Sequence, residues 1–201
     1  QLRLVPLGVD TGPATAAEIA SARRAHAVPS EFVLFVGTVE PRKNLRRLVA
    51  ALASLDDAPP LVVAGAAGWG DEVTDVAALA DDAGHDVRFL GFVTDAELRG
   101  LYASATIVAY PSEREGFGLP VAEALAQGAA VVTSRGTASE EVAGGAAVLV
   151  HPFDAYDISL GVVTAMRRRD EFSGPARRRA AELDWATTAH ATAAVYRELA
   201  S

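Results

Sequence analysis

The sequence predicts an α/β protein with a doubly wound, Rossmann-like parallel sheet of six strands. Two observations predict this fold class: short apolar runs recur along the 201 residues, and segments with helical periodicity separate them. The runs are rich in Val and Ile with little alternation, which is typical of strands buried on both faces. Strand–helix alternation of this kind implies helices on both faces of the sheet. The predicted strands are Phe32–Gly37, Leu61–Gly65, Val87–Leu90, Thr106–Tyr110, Ala129–Thr133 and Ala146–Val150.

Apolar stripes at a spacing near 3.6 residues predict the helices between these strands. One stripe follows the first strand, a less regular one follows the second, and a third begins after Thr94, a residue type that caps helices. A last helical run begins at Asp184-Trp185. The stripe positions are Leu45, Leu48, Val49, Leu52 and Leu55, then Val73, Val76, Leu79 and Ala80, then Leu98, Leu101 and Tyr102.

Composition narrows the function classes. Half of the residues are hydrophobic and 22% are charged, which is typical of a globular chain with one core of respectable size. The formal net charge of −8 argues against a general nucleic-acid or anionic-membrane surface. Without cysteine there are no disulfides, thiolate metal sites or cysteine nucleophiles. No apolar run is long enough to span a bilayer and the first residues show no signal pattern, so we expect a soluble, cytoplasmic chain.

A glycine-containing turn separates two carboxylates, Glu115 and Glu123, that lie eight positions apart. Pro120 suits the first position of a helix after that turn, which tilts the Glu123 side chain back toward the turn. Gly116 and Gly118 leave the backbone open to a ligand. Free amides and the positive helix end make an anion site. We therefore expect a diphosphate on the amides, a sugar near Glu115 and a ribose diol near Glu123.

A second anion signal follows the first strand, where Arg42, Lys43, Arg46 and Arg47 crowd the N-terminal end of a helix. The helix dipole disfavours each cation there by roughly 0.3 to 1 kcal/mol, so a bound anion is expected to resolve the conflict. We interpret Arg46 and Arg47 as solvated and Lys43 as functional. In an open sheet of order 3-2-1-4-5-6, strands 1 and 4 are neighbours. Lys43 and Glu115 are therefore predicted to face one pocket.

Several strings resemble those of one enzyme family. Glu115 and Glu123, with Gly-Phe-Gly-Leu-Pro between them, resemble the E-x7-E signature of retaining glycosyltransferases with the GT-B fold, often called family 4. Pro41–Asn44 resembles that family's segment whose lysine binds the donor diphosphate. Leu4–Asp10 resembles the junction where a family chain enters its second domain, and the run from Asp184 to Leu199 resembles its closing helix.

The resemblance covers essentially all 201 residues and implies a domain organisation. It implies an interdomain junction at residues 1–10, a Rossmann-like nucleotide-sugar-binding domain at 11–183, and a C-terminal helix at 184–201. The chain would then be one lobe of a GT-B enzyme. The N-terminal domain, which normally holds the acceptor site, would be absent, and the fragment alone is expected to be inactive.

The resemblance also implies a reaction: a sugar moves from a nucleoside diphosphate sugar to an acceptor hydroxyl with retention of configuration. Lys43 would stabilise the leaving diphosphate, and Glu115 would position the sugar or act as a nucleophile. Many members have an arginine where this sequence has Thr38. The subgroup with threonine at this position is similar to mannosyltransferases, and this similarity favours GDP-mannose as the donor. The donor-binding residues carried over are Arg42, Gly37, Thr38, Phe92, Val93, Leu98, Gly116, Phe117, Gly118, Leu119 and Glu123.

The family's members need no divalent metal, so no cofactor and no metal are expected. The expected partners are the nucleoside diphosphate sugar and an acceptor glycan or lipid bound through the missing domain, with no nucleic acid and with membrane association only for the full-length protein.

Four further alternatives stay open at this stage. The lobe could be a non-catalytic nucleotide-binding or assembly module with the same fold. Phe92 could belong to the core. The loop Gly65–Gly70 lacks G-x-G-x-x-G spacing and follows the second strand, so an NAD or FAD site is not expected there; it is either a plain turn or a neighbour of the donor. The stretches Arg167–Arg169 and Arg177–Arg179 mark either solvated helix ends or a docking surface.

Overall fold

A computed structural model describes residues 3–68 and 70–200 of the chain, and it forms an open parallel sheet of six strands in the order β3-β2-β1-β4-β5-β6. This confirms the predicted fold class and strand order. Trp69, inside the glycine-rich loop, lies outside the described residues, as do residues 1, 2 and 201 of the predicted termini. The strands are β1 Val33–Val36, β2 Leu61–Ala64, β3 Val87–Gly91, β4 Ile107–Tyr110, β5 Val131–Ser134 and β6 Val148–Val150.

Helices cover both faces of this sheet. The three predicted stripes and the final helical run correspond to α2, α3, α4 and α9, whereas α1, α6, α7 and α8 were not identified from the sequence. The helices are α1 Ala16–Ala25, α2 Leu45–Ala53, α3 Glu72–Ala83, α4 Asp95–Ser104, α5 Leu119–Ala126, α6 Ala138–Ala143, α7 Ala155–Arg167, α8 Arg169–Ala181 and α9 Trp185–Ala200. In the described part of the chain, no helix is both long and apolar enough to cross a membrane.

The strand register brings the site-bearing loops together. Val33 of β1 is in register with Leu61 on one side and with Ile107 on the other. Every residue of β1, β2, β4 and β5 is buried, as expected for parallel strands covered on both faces. Since β1 and β4 pair directly, the loops that follow them leave the same edge of the sheet side by side.

The two ends of the described chain meet beside the domain. The backbone amide of Val9 donates to the Leu183 carbonyl at 2.8 Å, and Val9 forms an isolated parallel bridge with Asp184. Thr188 donates from its hydroxyl to the Pro6 carbonyl at 2.9 Å. The predicted junction and the predicted closing helix are therefore neighbours, while the proposed domain boundaries themselves stay predictions.

Candidate functional site

The loop after β1 places Lys43 at the carboxyl edge of the sheet. Gly37 directly follows the strand and has a φ of 144°, a value that L side chains rarely adopt. The chain then forms a short 3₁₀ helix, Pro41–Lys43, before α2 begins. Thr38 is half-buried and Arg42 is exposed, whereas only 7% of Lys43 is exposed.

Lys43 and Glu115 form a buried ion pair across the β1–β4 boundary. The Lys43 Nζ lies 2.8 Å from Glu115 Oε1, and the two side chains are only 9% and 8% exposed. The Tyr110 hydroxyl donates to the same Oε1 at 2.8 Å and accepts from the Lys43 ammonium. Ser112 donates its hydroxyl to Oε1 as well, and the Arg42 guanidinium lies 3.3 Å from it. Four side chains thus converge on one carboxylate oxygen, and the predicted proximity of Lys43 and Glu115 is confirmed.

These contacts set the charge of Glu115. Burial raises the pKa of its carboxyl, but the hydrogen bonds from Lys43, Ser112 and Tyr110 outweigh burial and hold that pKa below the ordinary value of 4.5. Glu115 is therefore ionised at neutral pH. The pair presents a charged lysine whose position is fixed by a fully bonded carboxylate oxygen.

Glu123 lines a cavity beside α4. Its Oε2 accepts from the buried Tyr102 hydroxyl at 2.9 Å, and burial raises the pKa of Glu123 above the ordinary value. It lines a cavity of about 280 Å³ between α4, α5 and the chain ends, whose lining residues are Gly8, Val9, Asp10, Asp95, Leu98, Arg99, Tyr102, Leu119, Glu123, Gln127 and Trp185. Neither Lys43 nor Glu115 belongs to this lining. The structure therefore joins Lys43 to Glu115 but does not bring Glu123 into one cavity with them.

In the turn between the two glutamates, Gly118 has no room for a side chain, whereas Gly116 has open space around it. Gly118 has φ of 101° and precedes α5, and a Cβ there would lie 2.6 Å from the Ser139 hydroxyl. A Cβ on Gly116 would meet nothing within 4 Å. Phe117 is half-buried against the core, and α5 starts at Leu119, so Pro120 occupies the second helical position rather than the predicted first.

The segment after β3 carries three of the predicted donor-binding residues, Phe92, Val93 and Leu98. Phe92 is 84% exposed, so the alternative that it belongs to the core is wrong. Val93 belongs to the core with 8% exposure. Leu98 lines the Glu123 cavity from α4. Of these residues, Phe92 offers an accessible aromatic face and Leu98 an apolar wall.

Protein carboxylates resolve much of the charge conflict at the start of α2. Arg46 lies 2.7 Å from Glu72 and also pairs with Asp75, and Arg47 lies 3.1 Å from Glu113. The two arginine side chains are 51% and 31% exposed, in line with their interpretation as solvated surface residues, and both are also ion-paired. The remaining cations of the cluster, Lys43 and Arg42, both contact Glu115.

The Arg-rich stretch of α8 also makes specific contacts. Arg177 donates to the Gln127 carbonyl at 3.1 Å, and Arg179 donates to the Val142 and Glu141 carbonyls at 2.9 Å each. These two side chains attach α8 to the ends of α5 and α6, so they stabilise the fold.

Sequence reasoning missed four site residues: Tyr110 and Ser112, which bond Glu115; Tyr102, which bonds Glu123; and Asn44, which follows Lys43. Tyr110 ends the fourth predicted strand, an apolar run that by itself predicts a core position. A polar tip at the carboxyl end of a parallel strand, next to Ser112, was the available signal. No group of three or more metal-ligating side chains occurs among residues 3–68 and 70–200.

Comparison with known proteins identifies the family of this chain. The family model described as glycosyl transferases group 1 matches residues 18–182. The O-antigen chain mannosyltransferase B of Escherichia coli is 38% identical over 140 residues, which cover 68% of this chain and 37% of that protein. The serotype-specific mannosyltransferase WbdA of Escherichia coli is 33% identical over 186 residues, covering 88% of this chain and 23% of that protein.

Comparison with solved structures supports the same family. The sucrose-phosphate synthase of Thermosynechococcus elongatus superposes with a TM-score of 0.85 at 26% identity, over 98% of this chain and 52% of that one. This chain thus spans well under two thirds of the length of the relatives it matches, and its six-stranded sheet corresponds to one lobe of GT-B glycosyltransferases. From the family match and these relatives together, the chain belongs to the group 1 glycosyl transferases.

Proposed function

We propose that this chain is the donor-binding half of a retaining glycosyltransferase that moves a sugar from a nucleoside diphosphate sugar to an acceptor hydroxyl. Membership of the group 1 family supports sugar transfer. The names of its mannosyltransferase relatives support mannose as the sugar, and GDP-mannose is the donor that we propose. The acceptor, a glycan or a lipid, would be bound by an N-terminal domain of the full-length protein.

The buried Lys43–Glu115 pair is the observation that carries this proposal. Cleavage of the anomeric bond builds negative charge on the leaving diphosphate, and a fixed cation beside that charge lowers the barrier. Lys43 is such a cation, since Glu115 and Tyr110 both hold its ammonium group. The turn at Gly116–Gly118 adds backbone amides and the positive end of α5. These groups would balance the diphosphate charge without a metal ion.

The bonding of Glu115 supports a positioning role. Its Oε1 already accepts hydrogen bonds from Lys43, Tyr110 and Ser112. A carboxylate oxygen that is bonded to several donors has a lowered basicity and is a poor nucleophile. We therefore propose that Glu115 binds hydroxyl groups of the donor sugar, and that the acceptor attacks from the face that the diphosphate leaves.

The Glu123 cavity would take the nucleoside. Glu123 keeps Oε2 on Tyr102 and can accept from a ribose diol at its other oxygen. Phe92 exposes an aromatic face close in sequence to Leu98, and stacking on such a face is the general way in which proteins hold a base. The diphosphate would then run from this cavity across the glycine turn toward Lys43.

Transfer by the full-length protein tests the proposal. GDP-mannose, UDP-glucose and ADP-glucose are each incubated with candidate glycan and lipid acceptors, and NMR reads the anomeric configuration of the product. We expect an α-mannosyl product from the α-linked donor, and a large but measurable fall in the rate of transfer in Lys43→Met at a temperature at which that variant is folded. A β-linked product would contradict retention, and transfer from UDP-glucose alone would contradict the proposed donor. Nucleotide binding without transfer or donor hydrolysis would instead identify a non-catalytic module.

A further inference from the structure

We infer that Asn44 is a positioning residue that fixes Lys43 against Glu115. The inference rests on the proposed function, in which Lys43 meets the donor diphosphate. It concerns a residue that is only 5% exposed and whose side-chain amide is hydrogen-bonded entirely within the fold. Its effect must therefore pass through its neighbour.

The backbone of Asn44 makes the turn that aims Lys43. Its φ of 65° and ψ of 30° lie in the left-handed region, where asparagine is among the few non-glycine residues tolerated. Asn44 ends the 3₁₀ helix that carries Lys43, donating its amide to the Pro41 carbonyl at 2.9 Å. It also precedes the first residue of α2, so it joins the two elements at an angle that a continuous helix could not give.

The side chain of Asn44 ties three strand-end loops together. Its Nδ2 donates to the Pro111 carbonyl at 2.8 Å and to the Pro152 carbonyl at 2.6 Å. Its Oδ1 accepts from the Arg47 guanidinium. Pro111 follows β4 and Pro152 follows β6, whereas Asn44 itself belongs to the loop after β1. Both hydrogens and the oxygen of this buried amide are used.

The hydrogen bond from Asn44 to the Pro111 carbonyl links the segments that hold the two partners of the ion pair. Pro111 lies between Tyr110 and Ser112, whose hydroxyl groups both donate to Glu115. On the other side, Asn44 is bonded covalently to Lys43. One amide thus sets the spacing between the segment that holds the carboxylate and the segment that carries the ammonium. Because a displacement of about 1 Å in a reacting geometry can cost on the order of 10²-fold in rate, this spacing should matter for transfer.

Asn44→Asp removes the two donated hydrogen bonds. The aspartate side chain has the same shape and is also tolerated in the left-handed region, but its carboxylate only accepts hydrogen bonds. The matched control is Thr106→Val, which removes the buried bond from the Phe32 amide to Thr106 Oγ1 at 3.0 Å. Thr106 precedes β4, at the opposite end of the strands from Lys43, so this control loses a buried bond that is remote from the site.

The test measures kcat, KM and Tm of the full-length protein for the parent, the two variants, and each variant in a Lys43→Met background. We expect Asn44→Asp to lower kcat by about 10- to 100-fold with a much smaller change in KM. Thr106→Val should keep kcat within about twofold of the parent at a temperature below both transitions, even where its Tm falls as far. In the Lys43→Met background, Asn44→Asp should have little further effect on kcat, because groups that act through one another are not additive.

Two results would overturn the inference while leaving the proposed function intact. One is an active parent in which Asn44→Asp and Thr106→Val behave alike at equal loss of Tm. The other is a fall in kcat that Asn44→Asp causes equally with and without Lys43. Should Asn44→Asp fail to fold, Asn44→Gly takes its place, since glycine adopts this φ freely and also lacks the amide. A parent that binds no nucleoside diphosphate refutes the proposed function, and this inference with it.

Discussion

Glu115→Gln should destabilise the fold because it leaves the Lys43 charge buried without a full counter-charge. The two side chains are 9% and 8% exposed, so water cannot easily replace the lost carboxylate. Removing one partner of a buried ion pair costs about 3 to 5 kcal/mol. The glutamine oxygen can still accept hydrogen bonds and the Tyr110 hydroxyl remains, so we expect the low end, about 3 kcal/mol. For a domain of this size, that is a fall in Tm of about 6 to 12 °C.

Urea unfolding of the parent, Glu115→Gln, Lys43→Met and the double variant provides the assay. The double variant should lose clearly less than the sum of the two single losses, because no charge is then left unpaired. The difference between parent and Glu115→Gln should also depend on pH. Since the pKa of folded Glu115 lies below 4.5, its contribution is complete above that pH and is lost as the pH falls through the folded-state pKa. Additive losses, or a Glu115→Gln cost below about 1 kcal/mol, would refute the buried-pair reasoning.

Three further predictions concern the nucleoside side and the glycine turn. Burial raises the pKa of Glu123 in the folded protein, so the protonated carboxyl contributes folding stability that is lost as the pH rises through that pKa. At pH 7 the buried carboxylate is therefore destabilising, and Glu123→Gln should raise the urea midpoint. The same variant should weaken GDP binding by calorimetry by roughly 10-fold or more, and unchanged affinity would reject its ribose role. Gly118→Ala should cost about 1 to 3 kcal/mol in urea unfolding through its φ and its contact with Ser139, whereas the control Gly116→Ala, with open space around it, should not. Phe92→Ala should change stability by less than about 0.5 kcal/mol and weaken GDP binding by about 1 to 3 kcal/mol; equal binding would exclude stacking.

The strands could be predicted because each is buried on both faces and so appears in the sequence as a short continuous apolar run. Their order is the usual order of a doubly wound sheet. The meeting of Lys43 with Glu115 followed from that order, since the strands before them are neighbours. Helix α8 could not be predicted in this way. It contains Pro175 and buries only alanines, at 176 and 180, so it has no stripe of large apolar residues.

The cavity that Glu123 faces could not be predicted from the sequence. The tilt of a helical side chain gives its direction along the axis but not the rotation of the helix about that axis. Packing of α5 sets that rotation, through buried residues such as Val121 and Leu125. It turns Glu123 toward Tyr102 on α4. In contrast, α7 has an apolar stripe that the sequence does show, with Ile158, Val162 and Ala165 buried.

A crystal structure of the full-length protein with bound GDP would test the central claim most directly. The account predicts a β-phosphate oxygen within hydrogen-bonding distance, about 2.7 to 3.2 Å, of both the Lys43 ammonium and a backbone amide at Gly118 or Leu119, with the ribose diol on Glu123. A nucleotide bound elsewhere, or one whose phosphates leave Lys43 paired with Glu115 alone, would contradict it.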